Sequence, residues 1–318
     1  MQLGDFTILI LGWLIKATLQ MGTPLVLTAL GGMFSERSGV VNIGLEGMML
    51  TGAFTGAVAS HYSGNPWLGI LIGIIGGAAL GLLHAIICVK FKGNQIVSGT
   101  GLILIGFGLS TLGLQVVWGR KGRSDEVPGI TPVELPFIKD IPGIGTAIGN
   151  LSPIIYLMFV IVVISWYVLY KTPFGLRIRA SGEDPSTLDT AGVDVEWVRI
   201  VAVVISGCLA GLAGAYLSLG FENAFAKNMT SGRGFIALAA MIFGNWTPIG
   251  CFLAGMFFGF LDGLQYALQI TLGVEVVSQY LSFIQMVPYV LVIVALAGIR
   301  KAVPPAAVGE PYEKEARA

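Results

Sequence analysis

Nine stretches of this chain, 6–33, 40–61, 66–90, 95–118, 151–170, 197–219, 234–244, 248–270 and 278–297, are strongly apolar. Most of them reach the roughly 20 residues at which a helix crosses a hydrocarbon core. A soluble core does not require such runs, and only 11% of the 318 residues are charged while 55% are hydrophobic. Soluble domains carry about a quarter charged residues, and a mean hydropathy of +0.82 points the same way. The alternating pattern of barrel strands is absent, so the spans are helical. Forty-five glycines suit helices that pack closely in lipid. The expected fold is all-α, a polytopic transmembrane helix bundle of about 8–10 spans forming one domain over 1–300, followed by a tail at 301–318.

Two runs depart from a plain crossing. Segment 6–33 is long and carries Lys16, Gln20 and Pro24, which allows a broken helix or two short ones. Segment 234–244 is short: at 1.5 Å per residue it covers only about half of a ~30 Å core. It therefore has to start or end at depth, shielded by protein. No Lys or Arg precedes the first run, whereas Asp5 does, so that run reads as a retained span and not a cleaved signal.

Orientation follows from the Lys and Arg residues near span ends. The 90–93 turn, the 171–199 loop with Lys171, Arg177, Arg179 and Arg199, and the tail after Arg300 carry Lys and Arg near span ends and are expected on the cytoplasmic side. The 61–66 turn has no Lys or Arg, and alternation puts the proline-rich 119–150 loop outside with it, as a cap without regular helix. The expected location is a cell membrane crossed many times, with the C-terminus cytoplasmic.

Polar groups inside the spans are the candidates for a solute pathway, because a charge at the bilayer centre costs about 2.5–3.5 kcal/mol on insertion scales and usually faces a bundle interior. Asn42 and Glu46 lie one helical turn apart and would share a face; Asp262 and Gln265 lie in 248–270 and Gln285 in 278–297. Two glycine-flanked polar interruptions, Asn42 to Gly47 and Gly244 to Gly250 with Asn245, sit one in each half of the chain. Such pairs accompany midplane sites in some transporters, or simply begin a helix at the cytoplasmic face. Glu46 reads best as a paired carboxylate that holds a helix start near the inner mouth. Phe243 and Trp246 are candidates for stacking on a ring-bearing solute. Hydrogen-bonding groups without repeated charge suit a neutral polar solute.

Zero net charge gives no reason to expect nucleic acid as a partner. Cys88, Cys208 and Cys251 stand in separate apolar runs and His61 and His84 are isolated, so no metal is expected. The spans offer no clustered nucleophiles or facing carboxylates, so catalytic residues are expected to be none.

The most informative polar segment is 171–199, KTPFGLRIRASGEDPSTLDTAGVDVEWVR. Asp184 followed by Pro185 has the form of an N-cap and first helical residue. About two turns would run over 186–191, with Gly192 as the stop. Two turns do not hold alone in water, so the helix needs a surface, its own bundle or a partner.

Gly182-Glu183-Asp184-Pro185 through Asp189, Ala191-Gly192-Val193 and Val195 resembles the coupling loop of permeases of ATP-driven (ABC) importers, in the superfamily that serves branched-chain amino acids and simple sugars. SERSGVVNIGLEGMMLTGAF, GNQIVSGTG and GRGFIALAAMIFGNWTPIG are similar, more narrowly, to permeases of nucleoside uptake systems of the basic-membrane-protein type. The likeness runs from about residue 20 to 297. It implies an ABC importer permease fold in a bacterial cytoplasmic membrane, and a non-catalytic subunit for nucleosides or related simple sugars. Implied partners are a second, dissimilar permease chain, a cytoplasmic ATPase that receives residues 183–195 and an external substrate-binding protein. The chain has no GxxxxGK[ST], so ATP and magnesium belong to that ATPase and no cofactor to this chain. The alternatives are an ion-coupled secondary transporter, with Glu46 or Asp262 as the ion site, and a permease for branched-chain amino acids.

Overall fold

Lipid offers a backbone N–H no acceptor, and this chain satisfies its backbone with helix. A computed structural model describes residues 3–136, 144–272, 286, 290 and 302–313, without the side chains of 3–10, 144 and 265–272. The elements run α1 Leu3–Arg37, α2 Leu45–Ser63, α3 Pro66–Ala85, α4 Gln95–Trp118, β1 Val133–Glu134, α5 Ile144–Ile148, β2 Asn150–Leu151, α6 Pro153–Lys171, α7 Pro173–Glu183, α8 Pro185–Thr190, α9 Val195–Tyr216, α10 Arg233–Phe243 and α11 Pro248–Leu272. π-helical turns extend α3 to Lys90 and α9 to Phe221. Among the described residues, four helices are long and apolar enough to cross a membrane: Pro66–Lys90, Gln95–Trp118, Pro153–Lys171 and Val195–Phe221. The expected run at 278–297 lies outside the described residues except for Met286 and Val290.

The first run does not break. α1 is one helix of 35 residues with Pro24 inside it. Proline removes the N–H that would have bonded the carbonyl four residues back, which is that of Gln20. The hydroxyl of the fully buried Tyr216 donates to this carbonyl at 3.2 Å, so the orphaned acceptor is satisfied from α9 and the helix stays continuous.

Close packing uses the glycines. On α3, Gly73, Gly77 and Gly81 meet α9 at Gly207 and Gly211, and a Cβ on Gly77 would press on the Gly207 carbonyl and the Gly211 backbone. α2 lies in the centre, packed by α3, α4 and α9. It needs little apolarity, because its neighbours are protein: Glu46, Thr51 and Ser60 are all buried on it.

The 119–150 loop is more regular than expected. β1 and β2 pair antiparallel, Val133 with Leu151 and Glu134 with Asn150, around the single turn of α5. Residues 124–130 run beside the end of α9 and the segment after it, through Ser124 N–H to Phe225 O at 2.8 Å, Val127 N–H to Asn223 O at 2.9 Å and Ile130 N–H to Leu219 O at 2.7 Å.

Candidate functional site

Segment 234–244 forms α10, whose start is buried in protein at Thr230 and Gly234. Glu46 sits in the first turn of α2, 5% exposed, and its carboxylate receives the start of α10. Thr230 Oγ1 donates to Oε1 at 2.6 Å, Gly232 N–H to Oε1 at 2.8 Å and Gly234 N–H to Oε2 at 2.6 Å. The two amides are donors that a helix N-terminus leaves unpaired, and a carboxylate there also meets the positive end of the helix dipole. The fit is tight, since a Cβ on Gly234 would lie 2.6 Å from the Glu46 backbone. Gly47 packs on Leu102, which at 1.5 Å per residue is about 10 Å along α4 from Gln95. Glu46 therefore holds a helix start as read from sequence, but the helix it holds is α10 from the other half of the chain.

The far end of α10 returns to the end of α1. Asn245 and Trp246 both adopt left-handed backbone, with φ of 51°. Arg37 Nε donates to Trp246 O at 2.8 Å, and Trp246 Nε1 donates to Glu36 Oε2 at 2.6 Å. α10 is thus a half-helix of 11 residues with one end fixed in the interior and the other at the surface that carries α7 and α8.

This geometry sorts the candidate pathway residues. Asn42 is fully buried and donates to Ser206 Oγ at 2.9 Å, tying the α1–α2 turn to α9. Asn245 is exposed at the α7–α8 surface, where its Oδ1 accepts from Val303 N–H at 3.0 Å. Asp262 is half-buried on α11. The backbone of Gln265 belongs to α11, but its side chain, like all of Gln285, lies outside the described residues. Of the aromatic candidates, Phe243 is half-buried and packs edge-on against Phe258 at 5.7 Å, whereas Trp246 is 5% exposed with its ring N–H used. Sequence reasoning missed Arg233. It opens α10, its Nη1 donates to Met229 O at 3.1 Å, and its Nε is buried without a partner. A lone arginine between two glycines at the edge of an apolar run was the available signal. Lys227, Asn228 and Ser231 on the approach to it are exposed.

The 171–199 segment forms two helices, where one was expected. Thr172 caps α7 by accepting from Gly175 N–H, and α8 follows with Asp184 as its cap and Pro185 as its first residue. Asp184 accepts from Ser186 Oγ at 2.6 Å, Thr187 Oγ1 at 2.5 Å and Thr187 N–H at 3.0 Å. The hydroxyls of Ser186 and Thr187, with the Thr187 amide, pull its carboxyl down to about 2. Leu188 turns inward, and Ser186, Thr187, Thr190 and Ala191 are exposed. Gly192 has φ of +82° with no atom within 4 Å of a Cβ, so it stops α8 by backbone conformation alone. α8 thus lies on its own bundle through Leu188 and leaves one side open. Val193 N–H closes the turn on Leu188 O at 3.3 Å, while Asp189 is partly buried. Gly182 is buried against the bundle, its carbonyl accepting from Ala307 N–H at 2.8 Å, and the exposed Glu183 lies 3.7 Å from Arg37.

Comparison with known proteins agrees with this architecture. The family described as branched-chain amino acid transport system / permease component matches residues 14–296. The guanosine ABC transporter permease protein NupQ of Bacillus subtilis is 40% identical over 320 residues, covering 97% of this chain and 98% of NupQ. The putative glucose ABC transporter permease protein TsgC13 of Haloferax volcanii is 41% identical over 79% of this chain and 76% of its own length. The guanosine ABC transporter permease protein NupP of Bacillus subtilis is 28% identical over 76% of this chain and 70% of its own length. No solved structure matches the chain.

Proposed function

The chain belongs to the branched-chain amino acid transport system permease family, and from that membership we propose that it is the membrane-spanning subunit of an ATP-driven importer whose solute is a nucleoside. The observation that carries the substrate class is the 40% identity, over nearly the whole of both chains, to a guanosine permease. Two guanosine permease chains of one organism, NupQ and NupP, both resemble this chain at different identities. This supports assembly with a second, dissimilar permease. The chain has no phosphate loop, so a separate ATPase supplies the energy and an external binding protein supplies the solute.

In this reading the α7–α8 surface and the tail face the cytoplasm of a bacterial cell, in agreement with the Lys and Arg placement. The exposed side of α8, from Ser186 to Ala191, docks on the ATPase, and Asp184 and Gly192 fix its two ends. Solute descends from the opposite face past Lys227, Asn228 and Ser231 to Arg233 and Asp262. A guanidinium and a carboxylate at lipid depth offer a donor and an acceptor to a neutral polar ring. Glu46, with its acceptors filled by α10, shapes this path without touching the solute.

Glucose is the second reading, favoured by the TsgC13 likeness. The test is uptake into vesicles holding the chain together with a second permease chain, an ATPase and a substrate-binding protein from the same organism. Guanosine uptake that needs ATP is the expected result. Glucose or branched-chain amino acid uptake in its place overturns the substrate. Uptake that follows an ion gradient without ATP overturns the energy source.

A further inference from the structure

The segment 302–313 crosses the α7–α8 surface and bonds to each turn it meets. Val303 N–H donates to Asn245 Oδ1 in the α10–α11 turn at 3.0 Å. Ala306 N–H donates to Glu183 Oε2 at 3.3 Å, and Ala307 N–H to Gly182 O at 2.8 Å, both at the end of α7. Gly309 N–H donates to Gly39 O in the α1–α2 turn at 3.0 Å. The Glu310 carbonyl accepts from Arg199 Nη1 on α9 at 2.9 Å, and Glu313 pairs with Lys92 in the α3–α4 turn at 3.1 Å.

Arg199 is the fixed point of this arrangement. It is 2% exposed, and no carboxylate lies within 4.0 Å of it among the described residues. Its guanidinium instead spans two segments: Nη2 donates to Ser181 O at 3.2 Å, Nε to Ser181 Oγ at 3.3 Å and Nη1 to Glu310 O. Ser181 Oγ in turn donates to Ser38 O at 2.9 Å. Gly39 lies against the same group, where a Cβ would fall 2.7 Å from Nη2. A planar fork with several donors makes such a junction, and an ammonium point charge does not.

We propose that 302–313 is a strap that transmits movement of the α7–α8 segment to the α10–α11 turn, with Arg199 as the positioning residue that seats it. The proposal rests on the importer reading above. α7 ends at Glu183 and the α10–α11 turn holds Asn245, about sixty residues further along the chain. The strap bonds both through its backbone amides, Val303 to the Asn245 side chain, Ala306 to the Glu183 side chain and Ala307 to the Gly182 carbonyl. Arg37 makes a parallel link, from Glu183 at 3.7 Å to Trp246 O. α10 is anchored at its other end by Glu46, so a displacement arriving at Asn245 turns the half-helix about that anchor. The strap converts a push on α8 into a tilt of α10 that is largest at Asn245 and smallest beside the Glu46 anchor at Gly232 and Gly234.

The test is nucleoside taken up per ATP hydrolysed by the complete reconstituted complex. The variants are a chain ending at residue 301 and Arg199→Lys. Truncation is expected to leave membrane insertion, subunit assembly and solute-independent ATP hydrolysis unchanged. Uptake per ATP should fall by about tenfold, a typical size for coupling between sites. Arg199→Lys should give a smaller fall in maximal rate at unchanged KM, and a peptide of residues 302–318 added to the truncated complex should restore part of the ratio. An unchanged ratio after truncation overturns the strap, as does a parallel loss of assembly, hydrolysis and uptake that the peptide does not rescue. Wild-type complex that imports a different solute defeats the nucleoside reading alone, because the ratio is then measured with that solute.

Discussion

Glu46 and Asp184 perform the same chemistry in opposite surroundings. Each carboxylate caps the start of a helix and accepts a backbone amide and a hydroxyl: Thr230 Oγ1 and the Gly232 and Gly234 amides at Glu46, and Ser186 Oγ, Thr187 Oγ1 and the Thr187 amide at Asp184. Asp184 caps the helix that follows it directly and stands in solvent. Glu46 is buried and caps a helix nearly two hundred residues further on. Removing a local, wet cap frays one turn; removing the deep one strands several donors where no water replaces it. Similar bonds therefore hold a buried helix start between distant segments in one place and a local, solvent-facing helix start in the other.

Substitutions that separate the two sites should have effects of graded size. Glu46→Ala is expected to be the most damaging, destabilising the fold by about 3–5 kcal/mol because it leaves several buried donors unpaired. The folded, detergent-stable fraction should fall sharply. If it stays normal, α10 is held by something else. Gly234→Ala comes next, at about 1–3 kcal/mol, because the added methyl meets the Glu46 backbone and overpacking costs that much. Thermal denaturation in detergent should show it. Gly192→Ala should cost about 1–2 kcal/mol from left-handed backbone alone, since its Cβ meets no atom. The fold should survive, with loss confined to solute-stimulated ATP hydrolysis. Asp184→Ala should do least, speeding amide exchange at Thr187 while leaving exchange at Gly234 untouched.

Asp184 also sets a pH signature. Its folded pKa lies below the ordinary 3.8, at about 2. The cap's contribution is therefore complete above pH 3.8 and lost as pH falls from 3.8 toward 2. A carboxyl carbon resonance that titrates near 4 would show that the hydroxyls of Ser186 and Thr187 do not hold it.

What could be read from sequence was what the chain settles locally. Asp184, Pro185 and Gly192 specify the start and stop of α8 within a few residues, and the structure reproduces that helix as Pro185–Thr190. The short length of 234–244 was enough to require a start at depth. Pro24 misled because its compensation, the Tyr216 hydroxyl on the Gln20 carbonyl, comes from a helix far along the chain. Glu46 was legible as a structural carboxylate, but its partners were not, because two of the three are backbone amides. The same holds for residues 302–313, whose bonds to Gly182, Gly39 and Asn245 run through main-chain N–H groups that leave no pattern in side chains. Arg233 was overlooked because its neighbours are apolar, although a charge in such company is the more telling for it.

The contrast between a fixed interior cap and a moving surface one is tested most directly by spin-label distances in the assembled transporter, with and without trapped nucleotide. Labels at exposed Tyr62, on the far end of α2, and at exposed Thr190 on α8 should change separation by several ångströms on trapping. Labels at Tyr62 and at Ser231, just before α10, should keep theirs. A shift in the Tyr62–Ser231 distance with none at Tyr62–Thr190 would contradict the account.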